Sequence, residues 1–496
     1  MEERIRSWIE AVRALFSAVR WKTKVENEWK SSFVCIAEIY MLKNDMYRMR
    51  RISSYLKIKK EKEMKSLQKK EILLMSLMLF SMFFGAGNLI FPPFLGYEAG
   101  EHVWIALLGF IISATGLPIL GVIAIAKAGS FQGLANRVHA SFAIIFPCLI
   151  YLFIGPGLGI PRAGSLAFEM GPGQFFPEAG NVLLCVYTVI FFSIVYWLSL
   201  SPSKLMGLFG KLLTPLLLCM IAIIFIKSMM TPIGNVQEPI GNYRGSAVFQ
   251  GFLDGYLTMD ALAALIFGIV IANALRAKGV HDEKGLATYM SMAGIGAGLL
   301  LSLIYVILGY IGSISGSLGK FDNGAQVLAH VMTALFGQSG TVLLGIIFTV
   351  ACLCVSIGLV TSCSQFFAEV FPKISYKVWA FILSATSMIL ANLGLTQILK
   401  VSVPILGFIY PIALTLIILG LCHKYIEQYT YIYPVTIGIV ALFSGIDILN
   451  RNVFLSKWTP ILEHIPLYTE GVGWIIPAIV GGCLGMVVSA CMNKKD

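Results

Sequence analysis

The sequence predicts an all-α polytopic membrane protein with about twelve transmembrane helices. Mean hydropathy is +0.81 over 496 residues, and 57% of them are hydrophobic against 13% charged, a balance foreign to soluble chains of this size. The apolar runs also have the length a helix needs to cross about 30 Å of hydrocarbon. They are too long for strands and lack alternation of apolar and polar residues, which excludes a barrel.

The spans fall near 72–97, 103–126, 141–161, 179–200, 206–227, 256–276, 286–312, 341–367, 378–395, 401–422, 432–449 and 471–492. Short connections after even-numbered spans carry Lys127, Arg137, Lys204, Lys211, Arg276, Lys278, Lys284, Lys373, Lys377 and Lys424, whereas YEAGEH after the first span carries only Glu98 and Glu101 as charges. Positive loops stay inside, so both termini are expected in the cytoplasm. The net charge of +11 is thus a topology signal spread over many connections, and no nucleic-acid partner is expected. The expected partner is the lipid bilayer, with no obligatory protein partner. The connection near 228–255 reads as an irregular loop, and 321–338 as a short amphipathic helix on the outer face. Ten cysteines lie scattered without a CxxC or a Cys/His pair at metal spacing, so they read as small hydrophobes.

Residues 1–63 differ from the rest. They hold a basic, Trp-containing stretch without a signal-peptide layout. Met64, opening MKSLQKKEILLMSL, is an alternative start, which makes 64–496 the membrane-spanning domain; the other reading of 1–63 is an amphipathic surface helix.

Inside the first span stands FFGAGNLIFPP (83–93), with two glycines, an asparagine and a proline pair. These residues free backbone groups from the helical ladder, which in hydrocarbon costs several kcal/mol each unless something polar binds them. Read alone, the segment fits either a ligand site or a kinked helix packed through small residues. Five spans later GYLTMDALAALIFGIVIANALRAKG (255–279) brings Thr258 and Asp260 into a span otherwise free of charge up to Arg276. A carboxylate there costs about 2.5–3.5 kcal/mol, so it is functional or paired. Five is odd, so the two interrupted helices run in opposite directions. Residues 72–227 and 256–422 then form two inverted five-helix repeats with broken helices 1 and 6, and 432–492 adds two accessory helices.

The runs SMFFGAGNLIFPPFLGYEAG (81–100), IGPGLGIPRAGSLAFEMG (154–171), GYLTMDALAALIFGIV (255–270) and ACLCVSIGLVTSCSQFF (351–367) resemble the bacterial branched-chain amino acid:cation symporters, in order over about 66–492. The resemblance implies a LeuT-type fold in the bacterial cytoplasmic membrane, importing leucine, isoleucine and valine with sodium or, alternatively, protons. No cofactor beyond the transported ion is implied. It also assigns roles: Asn88 as a sodium ligand, Thr258 offering that ion a hydroxyl and a carbonyl, and the backbone of Phe84, Gly85, Ala86 and Gly87 meeting substrate and ion. A second ion site joins carbonyls near Ser81 and Phe84 to hydroxyls of the eighth helix, with Ser356, Thr361 and Ser362 as candidates. Threonines common in the family are replaced here by Cys354 and Val355, so either Ser356 takes over or that site is absent.

The residues make chemical sense by themselves. Sodium takes oxygen ligands. A zwitterion needs donors and acceptors, which broken-helix ends supply. Asp260 can hold the ammonium, pair with a base, titrate with a transported proton, or simply cap a helix. Arg162 and Glu169, at the outer end of span 3, read as a gate or anchoring pair or as plain interface residues. The six histidines are unpaired in sequence, and no HExxH, GxSxG or P-loop motif occurs, so an enzyme is not expected. An amino-acid sensor, or a carrier of another small zwitterion, is the alternative.

Overall fold

Helix follows helix because almost every backbone donor and acceptor in the apolar runs must be satisfied within its own segment. The computed structural model describes residues 67–176, 180–231, 233–454 and 456–492, which lie within one unit, Ser66–Asp496. The extension expected over 1–63, with its alternative start at Met64, lies outside the described residues. Among the described residues ten helices are long and apolar enough to span a bilayer. One of them, Ala86–Ala128, joins the second half of span 1 to span 2, and span 9 is a shorter helix of 16 residues, Tyr376–Ala391.

Span 1 is two helices, α1 (Lys69–Phe83) and α2 (Ala86–Ala99). Span 2 comprises α3 (Val103–Ile111) and α4 (Leu117–Ala128), joined by a π turn. Span 3 comprises α5 (Phe142–Leu152) and α6 (Ile160–Met170), joined by a longer π stretch, Phe153–Gly159. Then follow α7 (Gly180–Ser199) and α8 (Thr214–Met230), and the two halves of span 6, α9 (Ala247–Tyr256) and α10 (Asp260–Ala277). The remainder are α11 (Glu283–Ser313), α12 (Gly324–Phe336), α13 (Gln338–Val370), α14 (Tyr376–Ala391), α15 (Leu395–Ile426), α16 (Ile432–Asn452) and α17 (Ile475–Met492).

The packing repeats with the expected inversion. Both halves of span 1 pack on α11, the helix of span 7, and both halves of span 6 pack on span 2. Spans 3 and 8 meet each other through α6 and α13. Exchanging each span with its partner five places away leaves this set of contacts unchanged, as a two-fold relation between inverted repeats requires.

Two expectations are corrected. The end of the connection at 228–255 is not irregular: residues 247–256 form α9, the missing first half of span 6. Gln250, Asp254 and two glycines depress its hydropathy, yet Asp254 accepts from Gln250 Nε2 at 3.0 Å and from the Tyr243 hydroxyl, which lets the helix pack on α3. The helix at 321–338 exists as α12, but its apolar face, Val327, Leu328, Val331 and Met332, is buried against α2 and α13.

Candidate functional site

The first break starts where Phe84 leaves helical geometry (φ −73°, ψ 90°) and Gly85 extends (φ −120°, ψ −158°). The N–H of Gly85 donates to Asn88 Oδ1 at 3.0 Å, so the Ser81 carbonyl loses the donor that a continuous helix would give it. Farther on, Pro92 and Pro93 lie inside α2 without N–H groups and leave further carbonyls unbonded within the helix. Gly85 packs tightly: a Cβ there would stand 3.0 Å from Val355 Cγ2 of α13, so the valine would have to give way.

The second break has another chemistry. Met259 sits at φ +66°, ψ 9°, the left-handed region that costs a non-glycine residue about 1–2 kcal/mol. Thr258 holds the corner: its hydroxyl donates to the Gly255 carbonyl at 2.9 Å and receives the Asp260 N–H at 3.5 Å.

The two breaks are tied together. Asn88 Nδ2 donates to Asp260 Oδ2 at 2.5 Å and lies 2.6 Å from the Tyr305 hydroxyl, which itself donates to Asp260 Oδ2 at 3.1 Å. Asn88, Asp260 and Tyr305 are all buried, as is Thr258. Neutral donors on an intramembrane carboxylate offset part of its desolvation.

Arg162 joins them from the side. Expected at the outer end of span 3, it instead opens α6 in mid-span, because the helix runs on to Met170 beyond the point where its charge seemed to end it. Arg162 as a whole is 5% exposed. Nη1 and Nη2 each reach the Leu257 carbonyl at 3.4 Å, and the group lies 5.6 Å from the Phe91 ring centroid. Glu169, with which it was expected to form a gate, lies exposed about two turns along α6.

Asn88, Thr258, Asp260 and Arg162 line a cavity of about 40 Å³ formed by α1, α2, α6, α10 and α13. Its lining includes Gly85, Ala86, Gly87, Asn88, Arg162, Thr258 and Asp260, with an otherwise largely apolar wall. The eighth-span candidates divide. Ser356 Oγ and Thr361 Oγ1 are buried without a hydrogen-bond partner among the described residues, while Ser362 Oγ donates to the Gly358 carbonyl at 2.8 Å. Ser81 is buried and Phe84 stacks on Phe80.

Residues 68–492 match the family described as branched-chain amino acid transport protein. The chain is 44% identical over 439 residues to the branched-chain amino acid permease BrnQ of Bacillus subtilis, covering 86% of this chain and 98% of that relative. It belongs to this transport family. The branched-chain amino acid transport system 2 carrier protein of Pseudomonas aeruginosa is 39% identical, over 86% of this chain and 97% of that one. Such relatives are named as permeases and carriers, not enzymes. Among solved structures, Mhp1, a nucleobase-cation-symport-1 family transporter in a closed conformation, superposes with a TM-score of 0.58 at 14% identity, covering 86% of this chain and 93% of that one. That likeness concerns the LeuT-like fold alone.

Beside this cavity, sequence reasoning missed Tyr305. A tyrosine inside the apolar run of α11 gives no signal of its own; only the fold brings its hydroxyl to Asp260.

Proposed function

We propose that the protein imports leucine, isoleucine and valine across the bacterial cytoplasmic membrane by symport with a sodium ion or a proton, exposing one central site alternately to each side. The observation that supports it most is the meeting of two helix breaks, Asn88 on one bonded to Asp260 on the other, around a buried cavity. The substrate ammonium goes to Asp260. The carboxylate goes to the break of span 1, where the backbone from Phe84 to Gly87 and the first-turn N–H groups of α2 are not taken up by α1. Thr258 shapes the opposite wall. One methylene in an apolar pocket is worth only about 1–3 kcal/mol, so a carrier shared by the three side chains is physically reasonable.

We place the coupling ion between the Ser81 and Phe84 carbonyls and a hydroxyl of the eighth span, for which Ser356, Thr361 and Ser362 are the candidates. The released Ser81 carbonyl supports this placement, which has the hard oxygen chemistry that sodium takes. The resemblance also gives Asn88 and Thr258 an ion, but here their side chains bond Gly85, Asp260, Tyr305 and Gly255. We assign them to the break itself. With both termini in the cytoplasm, α9 and the 453–474 connection face outward. Coupling suits uptake: one net charge moving down 100 mV yields about 2.3 kcal/mol, roughly fifty-fold accumulation of a neutral zwitterion.

The test is labelled leucine uptake into proteoliposomes at clamped potential and fixed pH, comparing an inward sodium gradient with an equal potassium gradient. Sodium stimulation is expected. No stimulation, and no accumulation under an inward proton gradient, would overturn the proposal.

A further inference from the structure

Arg162 is a full charge inside the helix bundle, and the nearby Asp260 carboxylate, held by Asn88 and Tyr305, does not form an ion pair with it. Arg162 takes part in no ion pair among the described residues. Its hydrogen bonds there go to one neutral acceptor, the Leu257 carbonyl, at 3.4 Å from both terminal nitrogens. A guanidinium has five donors in a planar fork suited to a carboxylate, and burying it is costly without an anion.

Its position says which anion. A Cβ at Gly87 would stand 2.5 Å from Arg162 Nη2, so the guanidinium lies directly against the first turn of α2, where N–H groups collect and the helix dipole is positive. Asp260 is the single carboxylate among the residues lining the same cavity, and Asn88 and Tyr305 fix it on the α10 side. Between these poles the wall is apolar: Ile154, Ala163, Ala263, Phe267, Val355 and Leu359.

We infer that Arg162 is the binding residue for the substrate's carboxylate, the opposite pole to Asp260 in a receptor for an α-amino acid zwitterion with an apolar side chain. This rests on the transport reading above and sharpens it. Arg162 is then neither a gate nor an anchor, and the site rejects amines that lack the carboxylate, because they leave the guanidinium buried without an anion.

Calorimetric binding of leucine and of 3-methylbutylamine, its decarboxylated counterpart, to the purified full chain tests the assignment. Arg162→Gln is expected to weaken leucine on the order of 100-fold while strengthening the binding of the amine, whose rejection by the unpaired guanidinium it removes. Arg162→Lys, which keeps the charge but not the fork, should fall between. Gly87→Ala displaces the guanidinium without removing it and should also weaken leucine selectively, which keeps the inference testable if Arg162→Gln does not fold. Unaltered leucine binding by Arg162→Gln, or equal loss of leucine and amine in both Arg162→Gln and Gly87→Ala, would overturn it. Failure of the wild-type chain to bind any branched-chain amino acid would instead refute the transport reading.

Discussion

The two broken helices reach the same end by different means. In span 1 the chain opens at a glycine, Asn88 caps the new helix, and two prolines prevent α2 from bonding as a regular helix. In span 6 the break contains neither glycine nor proline: Thr258 closes a turn and Met259 is held in a left-handed conformation. The first break is written into backbone preference, whereas the second is imposed by its surroundings. A pseudo-symmetric fold therefore conserves where a helix stops, not which residues stop it.

This contrast can be broken at Asp260, the bond between the halves. Asp260→Asn keeps the shape but removes the charge that Asn88 and Tyr305 serve, and leucine uptake is expected to fall on the order of 100-fold with expression and detergent stability retained. Uptake at wild-type rates would reduce Asp260 to a helix cap. A smaller effect is expected at Gly85. Gly85→Ala pushes a methyl group into Val355 and should destabilise the protein by about 1–3 kcal/mol, read as a lower Tm, with Val355→Ala restoring part of the loss. If the double variant is no better than the single one, close packing is not why glycine stands there. The smallest effect is expected at Met259. Met259→Gly relieves the positive φ but loosens the unfolded chain, so Tm should change by an amount corresponding to less than about 1 kcal/mol.

The same contrast explains what could be read in advance. FFGAGNLIFPP announces its break because glycine and proline act locally. Span 6 showed only a charge, Asp260, and its first half, α9, was hidden because Gln250 and Asp254 are polar in sequence but bonded to each other in the fold. Arg162 was visible as a residue but misplaced, since a charge at the edge of an apolar run looks like a span end until the helix is seen to continue to Met170. Tyr305 lies 45 residues from Asp260 along the chain, so no local pattern connects them. Helix number and inversion came through well, because hydropathy and parity do not depend on such long-range contacts.

The buried face of α12 has a mechanical consequence. Tyr97, at the end of α2, donates to the Gly319 carbonyl at 3.2 Å and meets the Phe321 ring edge-on with centroids 5.1 Å apart, just before α12 begins. A tilt of α2 would therefore pull on α12 as on a lever arm, carrying movement at the helix break out to a surface helix. The exposed positions His330 and Thr333 on that arm are natural places for a spectroscopic label to follow the opening of the central site without touching it.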